Sequence, residues 1–257
     1  MRNINTYFIV SDIHGFYDPL KQALSDAKYD KDNKNHILIV LGDIFDRGGQ
    51  AKEVFEFLNS IPEDNLILIK GNHEYMLLEL LNKLKPSWYD HANGTVDTIC
   101  QFVPENKNDS WVDVCNKFKK LPVYKFLATR EWKPYYELDK YIFVHCFIPL
   151  LGNPESVANY NPDWRNDTNK DHLYLATWFC PWQLYKHGLF DYEIEKGKVL
   201  ACGHWHVNDF HKEFEHDPNW ENNFDIYYGK NLVAIDACTT ISGKINVLII
   251  KNNKIIF

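Results

Sequence analysis

Apolar and polar positions follow two rhythms along this chain. Short continuous apolar runs, Tyr7-Phe8-Ile9-Val10, Ile37-Leu38-Ile39-Val40-Leu41 and Leu66-Ile67-Leu68-Ile69, read as strands buried on both faces. Each is followed by apolar positions at helical spacing: Leu20, Ala23, Leu24 and Ala27; then Ala51, Val54, Phe55 and Leu58; then the Leu- and Met-rich stretch from Tyr75 to Leu84. Strands alternating with amphipathic helices indicate an α/β sheet. From about residue 85 to 140 the rhythm blurs, with a helix expected over Trp111 to Lys119, and this stretch reads as a cap-like insertion in a single domain spanning 1–257. Tyr141-Ile142-Phe143-Val144 and Lys198-Val199-Leu200-Ala201-Cys202 are two further strands. The chain closes with Leu232 to Asp236, Ile245 to Ile250 and Lys254 to Phe257, where Ser242-Gly243 and Asn252-Asn253 signal turns of an antiparallel meander.

The residues at the carboxyl end of each buried run change the picture from fold to chemistry. The runs end in Ser11-Asp12-Ile13-His14-Gly15, Gly42-Asp43-Ile44-Phe45-Asp46-Arg47-Gly48, Lys70-Gly71-Asn72-His73-Glu74, His145, and Gly203-His204-Trp205-His206. Open α/β sheets bind ligands beyond the carboxyl ends of their strands, so these groups converge on one edge. Carboxylates mixed with imidazoles suit borderline divalent ions such as Mn, Fe, Zn or Ni. In an extended segment residues i and i+2 share a side, so Asp12 with His14, and His204 with His206, are candidate pairs of ligands. Asp43, on the central run, is placed to bridge two ions, with Asn72 and His145 completing the second site. Two metals about 3.5–4 Å apart lower the pKa of a bridging water and clamp a phosphoryl group for in-line displacement. One such motif alone is more often a turn or a helix cap; five in order, each directly after a buried run, are a constellation. His36, His91, His172, His187, His211 and His216 stand in polar or irregular segments and read as surface histidines.

Composition narrows the field. No apolar run reaches the roughly 20 residues that span a bilayer, and the start runs from Met1 into a strand instead of a signal peptide, so a cytoplasmic enzyme is expected. A net charge of -7 argues against a broad nucleic-acid-binding face. The six cysteines form no CxxC pair and fall mostly in apolar segments, as reduced core thiols do.

These motifs resemble those of the calcineurin-like metallophosphoesterases over nearly the whole chain, and Asp-Arg-Gly with Gly-Asn-His-Glu is similar to bacterial and phage serine/threonine phosphatases and symmetrical diadenosine tetraphosphatases. The resemblance implies a four-layer fold, a central β-sandwich flanked by helices, with a dinuclear metal centre. It implies Asp12 and His14 on the first metal, Asp43 bridging, and Asn72, His145 and His204 on the second. His73 would be the general acid supported by Asp46, Arg47 would bind phosphate, and Arg165 is the nearest match to a second phosphate-binding arginine. Lys70, Cys146-Phe147 and Trp205-His206 depart from the protein-phosphatase pattern, and the Gly-His-x-His form resembles the broader family, in which His206 would join the first metal. The function implied is hydrolysis of a phosphomonoester, serine/threonine phosphatase-like and manganese-dependent. The alternatives are a bis(5'-nucleosyl)-tetraphosphatase or nucleic-acid-end phosphatase, and, further off, a non-catalytic metal-stabilised binding module.

Overall fold

The structure, a computed structural model, describes residues 5–104, 109–152, 159–190 and 195–257. Parts of the polar run at 104–110 and of the irregular stretch at 149–170 therefore lie outside the described residues. Eleven strands are described: β1 (Thr6–Val10), β2 (His36–Val40), β3 (Leu66–Ile69), β4 (Trp132–Lys133), β5 (Tyr135–Leu138), β6 (Tyr141–Val144), β7 (Val199–Cys202), β8 (Tyr227–Tyr228), β9 (Leu232–Ala234), β10 (Leu248–Lys251) and β11 (Lys254–Ile256). They form a six-stranded sheet in the order β11-β10-β1-β2-β3-β4 and a five-stranded sheet in the order β5-β6-β7-β9-β8. The centres of both are parallel, β1 to β4 in one and β6, β7 and β9 in the other, with antiparallel strands at their margins.

Period-two alternation sorts the side chains into layers. In β2, Ile37 and Ile39 join Ile9, Phe143, Ala201 and Val233 in a core between the two sheets. Leu38 and Val40 point the other way, into a core shared with α1 (Tyr17–Asp26), α2 (Ala51–Asn59) and α3 (Asn72–Lys83). In β6, Ile142 and Val144 turn outward to a third core under Trp164, Phe190 and Phe210. The result is helix, sheet, sheet, helix. Each fully buried Leu, Ile, Val or Phe in these cores contributes roughly 1.5–3 kcal/mol by leaving water, and near-continuous apolar strands are what a sheet covered on both faces requires.

The stretch expected as a cap supplies four helices, α4 (Trp88–Ala92), α5 (Thr95–Phe102), α6 (Trp111–Phe118) and α7 (Pro122–Thr129). Ile99 of α5, Phe118 of α6 and Phe126 of α7 enter the same core as the outer face of the first sheet. The expected terminal meander is corrected. β9 is an inner strand of the second sheet, parallel to β7, whereas β10 crosses to the first sheet and pairs antiparallel with β1. Only β10 and β11 form a hairpin, through Asn252 and Asn253, both left-handed with φ 53° and 57°. An apolar run reports burial but not which sheet it enters.

A candidate dinuclear metal centre

The loops after β1 and β2 are laced together by their backbones. His14 N–H donates to the Asp43 carbonyl at 2.9 Å, Gly15 N–H to that of Ile44 at 2.9 Å, and Gly48 N–H to that of His14 at 2.8 Å. Asp12, His14, Asp43, Asp46, Arg47 and His204 all hold left-handed backbone, with φ between 48° and 72°. The extended geometry expected for Asp-x-His and His-x-His is therefore corrected: these segments turn. Non-glycine residues in that region cost of order 1–3 kcal/mol each and persist where neighbours over-determine them. Gly71 and Gly203 allow the close approach, since a Cβ on Gly71 would lie 2.2 Å from Asp43 Oδ1 and one on Gly203 2.4 Å from Asp12 Oδ2.

The side chains converge on Asp43. One ligand atom each from Asp12, Asp43, His145 and His204 lies within 4.8 Å of all the others, and His14, Asp43 and His73 form a second such group. His145 Nε2 stands 2.9 Å from Asn72 Oδ1, 3.2 Å from His204 Nδ1 and 3.5 Å from Asp43 Oδ1. On the other side His14 Nε2 is 3.8 Å from Asp43 Oδ2 and 4.0 Å from Asp12 Oδ1. The donor set fits divalent cations. Asp12 and Asp43 are buried with no Lys or Arg paired to them among the described residues, which leaves their charge to be balanced by something else. Nδ1–H of His145 donates to the Leu41 carbonyl, and that of His14 to the Phe45 carbonyl at 3.0 Å, so both rings turn a bare Nε2 toward the cluster. Burial, reinforced by neighbouring positive groups, lowers His14 and His204 to about 3, the neutral form a ligand needs.

His73 is set differently. Its Nδ1 lies 2.7 Å from Asp46 Oδ2, and Asp46 in turn accepts from Thr95 Oγ1 at 2.8 Å and Thr98 Oγ1 at 2.7 Å. Burial opposes charge on this ring, but the Asp43 and Asp46 carboxylates outweigh it and raise the pKa to about 9. Arg47 is exposed and lines the same pocket.

Several groups that hold or line the site are not among those the motifs single out. Glu74 buries its carboxylate to accept the N–H groups of Asp43 at 3.0 Å, Ile44 at 2.9 Å and Gly71 at 2.8 Å. This starts α3 at Asn72, three residues before the expected start, and puts Asn72 and His73 on its first turn. The Gly-x-x-Glu spacing is the signal for it in the sequence. Thr95 and Thr98 reach Asp46 from α5, Thr239 Oγ1 donates to the Asp12 carbonyl at 3.1 Å, and Asp236 lies buried in the pocket wall.

Two expected site residues are not brought into the cluster. His206 lines the pocket with a half-exposed side chain, its Nε2 4.0 Å from Asp236 Oδ2. Arg165 is elsewhere: its guanidinium makes two bonds to Glu137, at 2.9 and 3.0 Å, and one to Glu195 at 2.8 Å, and covers Trp164. Those charge-assisted bonds occupy it as a structural clamp. Among the histidines expected at the surface, His211 is buried, with Nδ1 2.6 Å from Glu215 Oε2 and Nε2 3.0 Å from the Asp225 carbonyl. The cysteines are free thiols, and burial raises Cys146 and Cys202 above the ordinary thiol range.

A two-sheet sandwich with carboxylates and imidazoles at its strand ends is the architecture of metal-assisted phosphoryl chemistry. The profile of the calcineurin-like phosphoesterases matches residues 6–208, and the chain belongs to that family. It is similar to the symmetrical bis(5'-nucleosyl)-tetraphosphatase of Actinobacillus pleuropneumoniae, 32% identical over 127 residues, which is 48% of this chain and 43% of the relative. It is 36% identical over 123 residues to the protein of the same name from Psychromonas ingrahamii, covering 47% of this chain and 41% of the relative. The chain thus spans about two fifths of the length of these relatives. In fold it is similar to the cold-active protein-tyrosine phosphatase of a psychrophilic Shewanella, with a TM-score of 0.56, 17% identity, and coverage of 98% of this chain and 77% of that one.

Proposed function

We propose that this phosphoesterase hydrolyses phosphomonoesters over two divalent cations, the first held by Asp12, His14 and Asp43 and the second by Asp43, Asn72, His145 and His204. The observation that carries the reading is the Asp46–His73 pair, 2.7 Å between Oδ2 and Nδ1, with His73 Nε2 only 3.9 Å from Asp43. A carboxylate on one ring nitrogen leaves the other to donate a proton at the reacting centre, which matters most when the leaving group is a basic alkoxide. Bound cations, manganese among the candidates, would supply charge neutralisation and an acidified water. Arg47, free at the pocket wall, orients the phosphoryl oxygens. Asp46 fixes the His73 ring, and Thr95 and Thr98 fix Asp46, so the acid is positioned before substrate arrives. Cytoplasmic location belongs to the same proposal; among the described residues no helix is long and apolar enough to cross a membrane.

A second reading, hydrolysis of a dinucleoside polyphosphate, is favoured by the names of the curated relatives. One panel separates the two. Manganese-loaded protein is offered p-nitrophenyl phosphate, bis(p-nitrophenyl) phosphate, a phosphoserine peptide and diadenosine tetraphosphate. Faster turnover of the peptide than of the tetraphosphate supports the first reading and the reverse order the second. Two bound metals with no turnover of any substrate leave a binding module.

A further inference from the structure

Beyond His145 from the metal pocket lies a second cavity of about 270 Å³, close to the lower limit of small-molecule sites, roughly 300 Å³. Lys70 and Arg130 place two positive groups on its wall, Tyr75 and Trp132 add aromatic rings, and His145 closes the side toward the cluster. Lys70 Nζ sits 3.9 Å from the Tyr75 ring centroid, and the Arg130 guanidinium 5.2 Å from that of Phe126. Among the described residues neither cation has a carboxylate within ion-pairing distance, whereas Lys83, Arg165 and Lys198 are all paired. Glu74, four residues from Lys70, is committed to three backbone N–H groups. Arg130 Nη2 is moreover buried without a hydrogen-bond partner. Two unpaired cations on a concave, largely apolar wall raise the local potential and select an anion.

We propose that this cavity is a subsite for the phosphate of a phosphorylated leaving group, so that the favoured substrates carry a second phosphoryl group beyond the scissile one. A nucleoside phosphate matches the lining, its anion meeting Lys70 and Arg130 and its flat base meeting Trp132 and Tyr75. The inference rests on the phosphoesterase reading for turnover but not for binding. It narrows the substrate class from any phosphate ester to doubly phosphorylated compounds.

The test compares kcat/KM of the manganese-loaded enzyme for p-nitrophenyl phosphate, which has no second phosphate, and for diadenosine tetraphosphate. Lys70→Gln and Arg130→Gln should each lower the second by about tenfold, the value of one charge-assisted contact, and leave the first within about twofold. Equal losses on both substrates would overturn the subsite. Should the variants fold poorly, the wild-type enzyme still decides: ADP should inhibit p-nitrophenyl phosphate turnover about tenfold more tightly than inorganic phosphate does, and parity overturns the proposal. If the protein turns over no phosphate ester, the functional reading fails by itself. Calorimetric titration of ADP into the full chain with chelator then tests the cavity alone, and absence of binding there sinks it.

Discussion

Asp12, Asp43, Asn72 and the His73–Asp46 pair, delivered by the first sheet, differ from His204, His206 and Asp236, delivered by the second, in how much of their geometry neighbours impose. In the first set each acidic group is held by groups from other elements: Glu74 grips the Asp43 backbone, Thr95 and Thr98 grip Asp46, and Ser11 and the His204 N–H grip Asp12. In the second set His206 is half exposed, and its Nε2 comes no closer to the Asp236 carboxylate than 4.0 Å. The curated relatives match about half of this chain. Dense fixation belongs to the groups that perform the shared chemistry, and the looser half leaves room for difference in metal affinity and substrate.

The largest expected effect lies at the shared carboxylate. Asp43→Asn should reduce turnover by several orders of magnitude and lower the metal content of reconstituted, desalted protein; near-native activity with one ion per chain would end the dinuclear assignment. His73→Asn comes next, with a loss of about 10²–10⁴-fold on alkyl phosphates and a much smaller one on p-nitrophenyl phosphate, whose leaving group needs little protonation. Its pH profile supplies the sign. The pKa of His73 is raised to about 9, so the acid form is present below that value and activity should fall as pH rises through it, with bound cations drawing the limb downward. That alkaline limb should vanish in the variant, and a surviving limb would assign the proton elsewhere.

Smaller effects test the supports. Thr98→Val and Thr95→Val leave the catalytic groups intact but loosen Asp46, and each should cost about 10–100-fold in kcat, in the manner of outer-shell partners, with KM little changed. A matched loss on activated and unactivated esters would mean the threonines serve stability alone. Smallest is His206→Ala. If the ring reaches the first ion when it binds, half-saturation by manganese should rise about tenfold and activity return at high manganese; an unmoved half-saturation point places His206 outside the coordination sphere and sharpens the contrast between the halves.

How far the residues announce these roles depends on the range of the interactions. Asp12, His14, Asp43, Asn72, His73, His145 and His204 are legible because each sits within a few residues of a buried apolar run, and strand ends are brought together by sheet pairing. Glu74 is within reach through its spacing from Gly71. Thr95 and Thr98 are not, since they meet Asp46 across 49 and 52 residues of sequence and nothing local marks a threonine as a clamp. Arg165 misleads for the converse reason: a separation from His145 says nothing of Glu137 and Glu195, which take its guanidinium first. The sheet change between β9 and β10 is invisible because both runs are equally apolar.

That sheet change sets the order in which the protein can come alive. Asp12 takes a hydrogen bond from His204 across 192 residues and from Thr239 across 227, and β1 is flanked by β10. Contacts of such range demand costly loop closure and form late in folding. A chain emerging from the ribosome would carry the loops of Asp12, Asp43 and Asn72 early, with β1 an open edge awaiting β10. Hydrolytic capacity should therefore appear as a terminal event of synthesis, and any interruption before residue 239 should yield an inert fragment that is prone to pair through that edge.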